Sequence, residues 1–287
     1  MARVSFSQYS MWSSCPQQYK LAYIDGLSQS TSNIHSVFGT AMHETLQHYL
    51  DKCLRISKSQ ADKMIDLKEF LKERMRETFI KDSNGGETQI CTKDEMVEFL
   101  EDGNVLLDWF QKSKNFNKFF SLKHDELVAI EQPINTKIAE GVNFMGFIDL
   151  IIRDKFNGKY RIIDFKTSTA GWSKYQKSDP VKNSQILLYK KFYAELIGIS
   201  EDMIDVEFII LKRKVTVRED IPTHRMSKHI PANGKPSMNK AWNGFKGFVE
   251  SVFDETGNYR LGVNYHKKPS KLCSWCEFFG THCDGKN

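Results

Sequence analysis

The stretch "GFIDLIIRDKFNGKYRIIDFKTS", residues 146–168, decides the fold. Two apolar runs flank Asn157-Gly158, a dipeptide that is a strong hairpin signal. Each run nonetheless carries charge: Asp149 in the first, Asp164 and Lys166 in the second. Desolvating a lone carboxylate costs several kcal/mol unless something compensates. These groups therefore sit at a solvated edge or face a common partner. Side chains alternate along a strand, so Asp164 and Lys166 share one face and Phe165 takes the other. With Asn157 and Gly158 as the two central turn residues, Asp149 falls opposite Lys166 and Ile151 opposite Asp164. The two carboxylates then become diagonal neighbours, and the ammonium converges on them.

Two close carboxylates repel and raise each other's pKa. A divalent cation removes that conflict, and Mg²⁺ and Mn²⁺ prefer oxygen ligands. Such an ion polarises a phosphoryl oxygen and lowers the pKa of a bound water. Lys166 beside it would orient the water or stabilise growing negative charge. The constellation suits phosphodiester hydrolysis; an ordinary surface Asp–Lys pair, worth little, is the plain alternative. Gln185 and Tyr189 lie four apart on the next predicted helix and share a face. Both have groups that hydrogen-bond a phosphate or a water. His43, in "FGTAMHETL", follows Gly39 and has a nitrogen to offer a metal, although a lone histidine is more often structural.

Outward from the hairpin, strands are predicted over 126–135, 143–153, 159–168 and 205–217. A helix is expected over 184–198, capped by Asn183 or Ser184 and stopped by Gly198. Helices are also expected over 37–56, 60–81 and 238–255. Another follows a capping box of Thr92 and Glu95, with Met96, Phe99, Leu100, Leu106, Leu107 and Phe110 on one stripe. A short helix near the start breaks at Cys15-Pro16. Residues 83–87 and 219–237 read as loops. The order describes a single α/β domain over 1–287, its antiparallel strands and helices interrupted by a helical insertion at 50–125.

The 287 residues are 40% hydrophobic and 27% charged, an ordinary globular balance. The net charge of +5 is uneven: residues 1–150 hold 17 basic and 21 acidic side chains, and the remainder 24 and 15. A basic second half suits an anionic partner such as nucleic acid, or equally a solvated surface. Lys174, Lys177 and Lys182 alternate with Trp172 and Tyr175. Lys212, Arg213, Lys214 and Arg218 follow, then Arg225 and Lys228. Cations grip phosphates and aromatics stack unpaired bases, which points to single-stranded or frayed DNA. No base-reading helix is recognisable, so little sequence specificity is expected.

No apolar run approaches the roughly 18–20 residues that span a bilayer, and the first residues lack the apolar core of a signal peptide. The expected location is the cytoplasm, bacterial or, for a viral protein, that of the host. A GxxxxGK[ST] loop is absent, so no helicase motor is built in. Six cysteines are present, and disulfides are not expected in this setting. Cys273-x2-Cys276-x6-Cys283 supplies three thiolates with metal-ligand spacing. The fourth ligand is open among Cys15, Cys53, Cys91 and His282, and sulfur ligation fits iron–sulfur or zinc.

Taken in order, "GTAMH" with His43, "GFID" with Asp149, "IIDFKTS" with Asp164 and Lys166, and "QILLY" with Gln185 and Tyr189 resemble the RecB-like branch of the PD-(D/E)XK nuclease superfamily. The opening "SFSQYSMWSSCPQQYKLAY" is similar to that family's N-terminal segment. The resemblance implies a restriction-endonuclease-like mixed sheet flanked by helices, and metal-dependent DNA cleavage. It implies Mg²⁺ or Mn²⁺ held by His43, Asp149, Asp164 and the backbone carbonyl of Phe165. Lys166 would help activate water, and Gln185 and Tyr189 would contact DNA or the reacting phosphate. Glu131 receives no role. In CRISPR-associated RecB-like and AddB-type proteins one N-terminal cysteine joins three C-terminal ones around a [4Fe–4S] cluster. By that likeness Cys15 completes the set, joining residues 1–25 to 265–287, with Zn²⁺ as the alternative metal. The expected activity is that of an exonuclease on DNA ends in recombination, replication or DNA processing, beside a helicase or recombination partner. A flap or junction endonuclease and a non-cleaving DNA-binding subunit are the alternatives.

Overall fold

A computed structural model describes residues 1–28, 32–216 and 223–286. Its centre is a mixed six-stranded sheet. The strands are β1 (Ala2–Val4), β2 (Asp125–Ala139), β3 (Val142–Asp154), β4 (Tyr160–Ser168), β5 (Ile204–Lys212) and β6 (Met226–His229). β2 runs antiparallel to β3 along nearly its whole length. The other edge of β3 is shared: β1 pairs with Val142–Phe144 and β4 with Leu150–Arg153. β4 then pairs in parallel with β5, and β6 closes the far edge antiparallel.

Helices cover both faces. On one side lie α3 (Ile34–Arg55), α4 (Lys58–Met64), α5 (Leu67–Asp82), α6 (Lys93–Gln111) and α7 (Ser113–Phe116). Their apolar stripes meet Leu150, Ile152, Ile163, Phe165, Ile209 and Leu211 in one core. On the other side lie α1 (Phe6–Ser14), α9 (Pro180–Ile197) and α10 (Lys235–Val252), against Ile151, Ile162, Val206, Phe208 and Ile210. The alternation of Ile162, Ile163, Phe165 and of Val206 through Leu211 between the two cores is what a sheet buried on both faces demands.

Several expectations are corrected. The β3–β4 loop is two residues longer than a two-residue turn: Arg153 pairs with Tyr160 and Ile151 with Ile162. Asp154 caps the turn by accepting from the Phe156 and Asn157 N–H groups. The pairing ends at Leu150 and Ile163, so Asp149 stands level with Asp164 rather than opposite Lys166. The helix expected over 60–81 is two, since Asp66 accepts from the Lys68 and Glu69 N–H groups and starts a new one. The cap of α9 is Asp179, with Pro180 at the first helical position, rather than Asn183 or Ser184. β5 ends at Lys212, short of the predicted 217, and residues 217 and 218, including Arg218, lie outside the described residues. The loop at 219–237 contains β6, and β1 was not foreseen. The break at Cys15 is real: α1 stops at Ser14, and Pro16 opens α2 (Pro16–Tyr19), which continues as a π-helical turn over Lys20–Ile24.

Candidate active site

The site is built by a fork in the sheet. Residues 145–149 of β3 lie between the part of its edge held by β1 and the part held by β4. β4 leaves β3 after Ile163 and continues beside β5. Asp149 and Asp164 stand where the two strands separate. The Asp149 carboxylate stands in for the lost rung: its Oδ2 accepts from the Phe165 N–H at 2.7 Å.

The remaining partners arrive from two elements. His43, on α3, brings Nδ1 to 3.5 Å from Asp149 Oδ2, its ring edge-on to Phe165. Lys166, two residues beyond Asp164 on the same face, holds Nζ 2.7 Å from Asp164 Oδ2 and 5.9 Å from the Phe208 ring. Asp164 is only 1% exposed. Its Oδ2 accepts no hydrogen bond of good geometry despite the nearby ammonium.

Burial governs the electrostatics. It pushes Asp164 up to about 6 against the pull of Lys166, with the Asp149 charge adding to the rise. Asp149 is likewise pushed up to about 6 by burial, against Lys166 and the Phe165 N–H. His43 is pushed down to about 4 by burial, while the Asp164 and Glu131 charges resist. At neutral pH the histidine is therefore neutral with a nitrogen free to ligate, beside two ionised carboxylates in a poorly solvated place. The buried Oδ2 of Asp164 has the Lys166 ammonium beside it but no hydrogen bond of good geometry. Two carboxylates and a neutral imidazole are a donor set that fits a divalent cation. Among the described residues no three His, Cys, Asp or Glu side chains are drawn tightly enough together to hold an ion. The arrangement is two pairs, His43–Asp149 and Asp164–Lys166, facing across the fork.

α9 closes the fork. Tyr189 is buried, and its hydroxyl meets the Gln185 side chain and the Phe147 backbone with both aspartates near. Burial, with the Asp164 charge, pushes its hydroxyl pKa up, so it stays a neutral donor. Gly146 makes this possible: a Cβ there would come within 3.1 Å of the Tyr189 ring.

Glu131 was passed over in the sequence and stands in the site's surround. Its neighbours Ile130 and Gln132 pair with Leu150 and Ile148, so it faces Asp149 across β2 and β3. Its φ is +50°, a strained backbone for a residue with a side chain. Gln47, one turn after His43 on α3, donates from Nε2 to Glu131 Oε1 at 2.5 Å and to the Asp149 carbonyl at 3.3 Å. The available signal was an acid interrupting "AIEQPIN" and a glutamine four residues past His43.

The basic residues divide. Lys174 is exposed. Lys182 lies over the Trp172 ring at 5.2 Å, and Lys177 presses electrostatically on Lys212 and His229. Trp172 is half-buried against Phe208 and His229, whereas Tyr175 is 86% exposed. Arg213 is turned inward instead: it is 7% exposed and paired with Glu98 and Asp102 of α6 over the Phe99 ring. Lys214 pairs with Glu98, and Arg225 donates to the Arg213 carbonyl. Arg213 and Lys214 thus tie the end of β5 to α6, with Arg225 held against them, and the three are not brought to the fork.

Cys15, Cys273, Cys276 and Cys283 line one cavity of about 460 Å³. Cys53 is buried in α3 and Cys91 precedes α6, both elsewhere. Beside the cavity, Lys268 donates to the Ser13 carbonyl, and the Gln17 N–H to that of His266.

A family model described as the PD-(D/E)XK nuclease superfamily matches residues 3–281. No curated protein matches the chain.

Proposed function

The chain belongs to the PD-(D/E)XK nuclease superfamily, and from that premise we propose that it is an exonuclease that hydrolyses phosphodiester bonds at the ends of single-stranded or frayed DNA. The observation that carries the reading is the meeting of Asp149, Asp164, Lys166 and His43 at the β3–β4 fork. His43, Asp149, Asp164 and the Phe165 carbonyl would hold Mg²⁺ or Mn²⁺. Bound there, the cation supplies Lewis acidity toward the scissile phosphate and a more acidic water. The chain's own groups do the rest. Lys166 holds a positive charge beside the reacting phosphate, where negative charge grows as water adds to phosphorus and the P–O bond breaks. Tyr189 and Gln185 hydrogen-bond the phosphate or the attacking water. Lys174, Lys177 and Lys182 grip the backbone, without reading bases.

The four cysteines would carry a [4Fe–4S] cluster as a structural staple. All four line one cavity, and sulfur-only ligation suits an iron–sulfur cluster, with a single zinc as the alternative. The protein would act in recombination, replication or DNA processing, with a helicase or recombination protein supplying unwound ends.

The test is digestion of end-labelled linear and circular single-stranded DNA with Mg²⁺ or Mn²⁺. Linear substrate is cut and circular spared; cutting of circles identifies an endonuclease instead. Asp164→Asn and Lys166→Ala each lose at least about a hundredfold in rate, or about 2.7 kcal/mol of transition-state stabilisation. Binding without turnover under either ion supports the non-cleaving subunit, a reading weakened by buried carboxylates that a mere binder has no need to retain.

A further inference from the structure

Next to the catalytic fork lies a second cavity, of about 580 Å³, within the roughly 300–1,000 Å³ usual for ligand pockets. It opens directly onto Lys166 and Gln185, so whatever fills it is contiguous with the reacting group. Its walls come from three places in the chain: α1, the end of β4, and the segment of α8 (Lys174–Ser178) leading into α9.

Much of the lining is hydrogen-bond donors. Ser10, Ser13 and Ser14 come from α1, and Gln176 from α8. Among the described residues the three serine hydroxyls have no hydrogen-bond partner in the chain, and Ser10 and Ser13 are half-buried. Lys182 adds a cation. It packs over Trp172, which steadies the ammonium, and no carboxylate among the described residues pairs with it. Lys166, by contrast, is already engaged with Asp164. The one carboxylate among the described lining residues is Asp179, whose Oδ1 is occupied by the Val181 and Lys182 N–H groups at the start of α9.

Neutral donors and one unpaired ammonium, beside a single carboxylate whose Oδ1 is taken by two N–H groups, describe a site for a singly charged oxyanion rather than a multiply charged one. A cation-rich site would be expected for a dianion, and a carboxylate-rich one for a metal. A phosphodiester carries one negative charge and two free oxygens, and along a nucleic-acid strand the next one follows the reacting one. We propose that this cavity is the subsite for the phosphodiester adjacent to the scissile one, held by Ser10, Ser13, Gln176 and Lys182. α1 thereby becomes part of the substrate-binding surface. The inference rests on the nuclease reading and adds which residues fix the strand's register at the cut.

The test uses short single-stranded DNA in which one linkage at a time is an uncharged methylphosphonate. Binding is measured to the full-length Asp164→Asn protein, so that nothing is cut. One substituted linkage should weaken binding about tenfold, the worth of a hydrogen-bonded charge. That penalty should shrink to less than about twofold once Ser10→Ala, Ser13→Ala and Lys182→Ala are added, and a version with Ser10→Thr and Ser13→Thr that keeps Lys182 should retain it. A penalty that is the same in the triple-alanine protein, while the wild type still cuts DNA, overturns the subsite alone. Failure of the wild type to bind or cut any DNA overturns the nuclease reading and the subsite with it.

Discussion

Asp164 illustrates how this site sets stability against function. Its folded pKa, about 6, lies above the ordinary 3.8, as does that of Asp149. Folding therefore takes up protons between those values. The cost of these two carboxylates is full at neutral pH and is relieved as pH falls through 6 toward 4. His43 runs the other way: its folded value of about 4 lies below 6.5, so it weakens the fold only as pH falls through that window. Asp164→Asn should therefore melt higher than the wild type at about pH 8 with chelator present, and the gap should close toward about pH 4. The same variant loses cleavage. Glu131 makes a separate prediction. It links Gln47 of α3 to the Asp149 rung, and its charge is felt by both His43 and Asp149. Glu131→Gln should lower kcat about tenfold, with little change in melting temperature because the charge-assisted bond lost to Gln47 is offset by relief of the repulsion between Glu131 and Asp149.

At the scale of elements, β3 carries the site because it is paired differently along its length. Ile148 belongs to the α9–α10 core and Leu150, of the same parity, to the α3–α6 core. Ile134 and Ile130 of β2 divide in the same way, so the change of face falls on the Glu131–Asp149 rung. Strict alternation reads β4 correctly, since Ile163 and Phe165 share a core, but it fails at this rung. The helical layer offers a sharper test of packing. α6 crosses α3 and α5 at Gly103, where a Cβ would meet Leu71 at 2.6 Å and Phe38 at 2.9 Å. Both neighbours are fully buried. Alanine gains about 0.5–1 kcal/mol of helix propensity, but overpacking costs about 1–3 kcal/mol. Gly103→Ala should lower stability by about 1 kcal/mol in denaturant unfolding, the reverse of what propensity alone predicts.

Over the whole molecule, the chain ends meet. Tyr19 packs on Phe248, and Leu21 and Ala22 on Phe278, before any cluster is considered. A covalent link between residues 15 and 283 contributes about 5 kcal/mol in the chain-entropy limit, and these contacts reduce the increment. Cys15→Ser should lose the visible absorbance of an iron–sulfur protein and melt earlier. Because Ser14 precedes Cys15 and lines the pocket beside Lys166, its DNA binding should weaken before its structure is lost. Retention of colour and melting temperature would remove Cys15 from the ligand set. Among the described residues no helix is long and apolar enough to cross a membrane.

The sequence by itself determined the hairpin, the Thr92 capping box, the helix stop at Gly198 and the shared face of Asp164 and Lys166. All of these are local: each depends on residues within a turn or a strand, where backbone geometry and side-chain period leave few choices. Tertiary structure alone decided that β4 parts from β3 at Ile163, that Glu131 faces Asp149, and that Arg213 turns inward to Glu98 and Asp102. The hydrogen-bonding edge of a strand is offered to any neighbour, and a cation is drawn to whichever carboxylate the fold delivers. Neither choice is written in the spacing of nearby residues. Both are made when segments a hundred residues apart compete for the same surface.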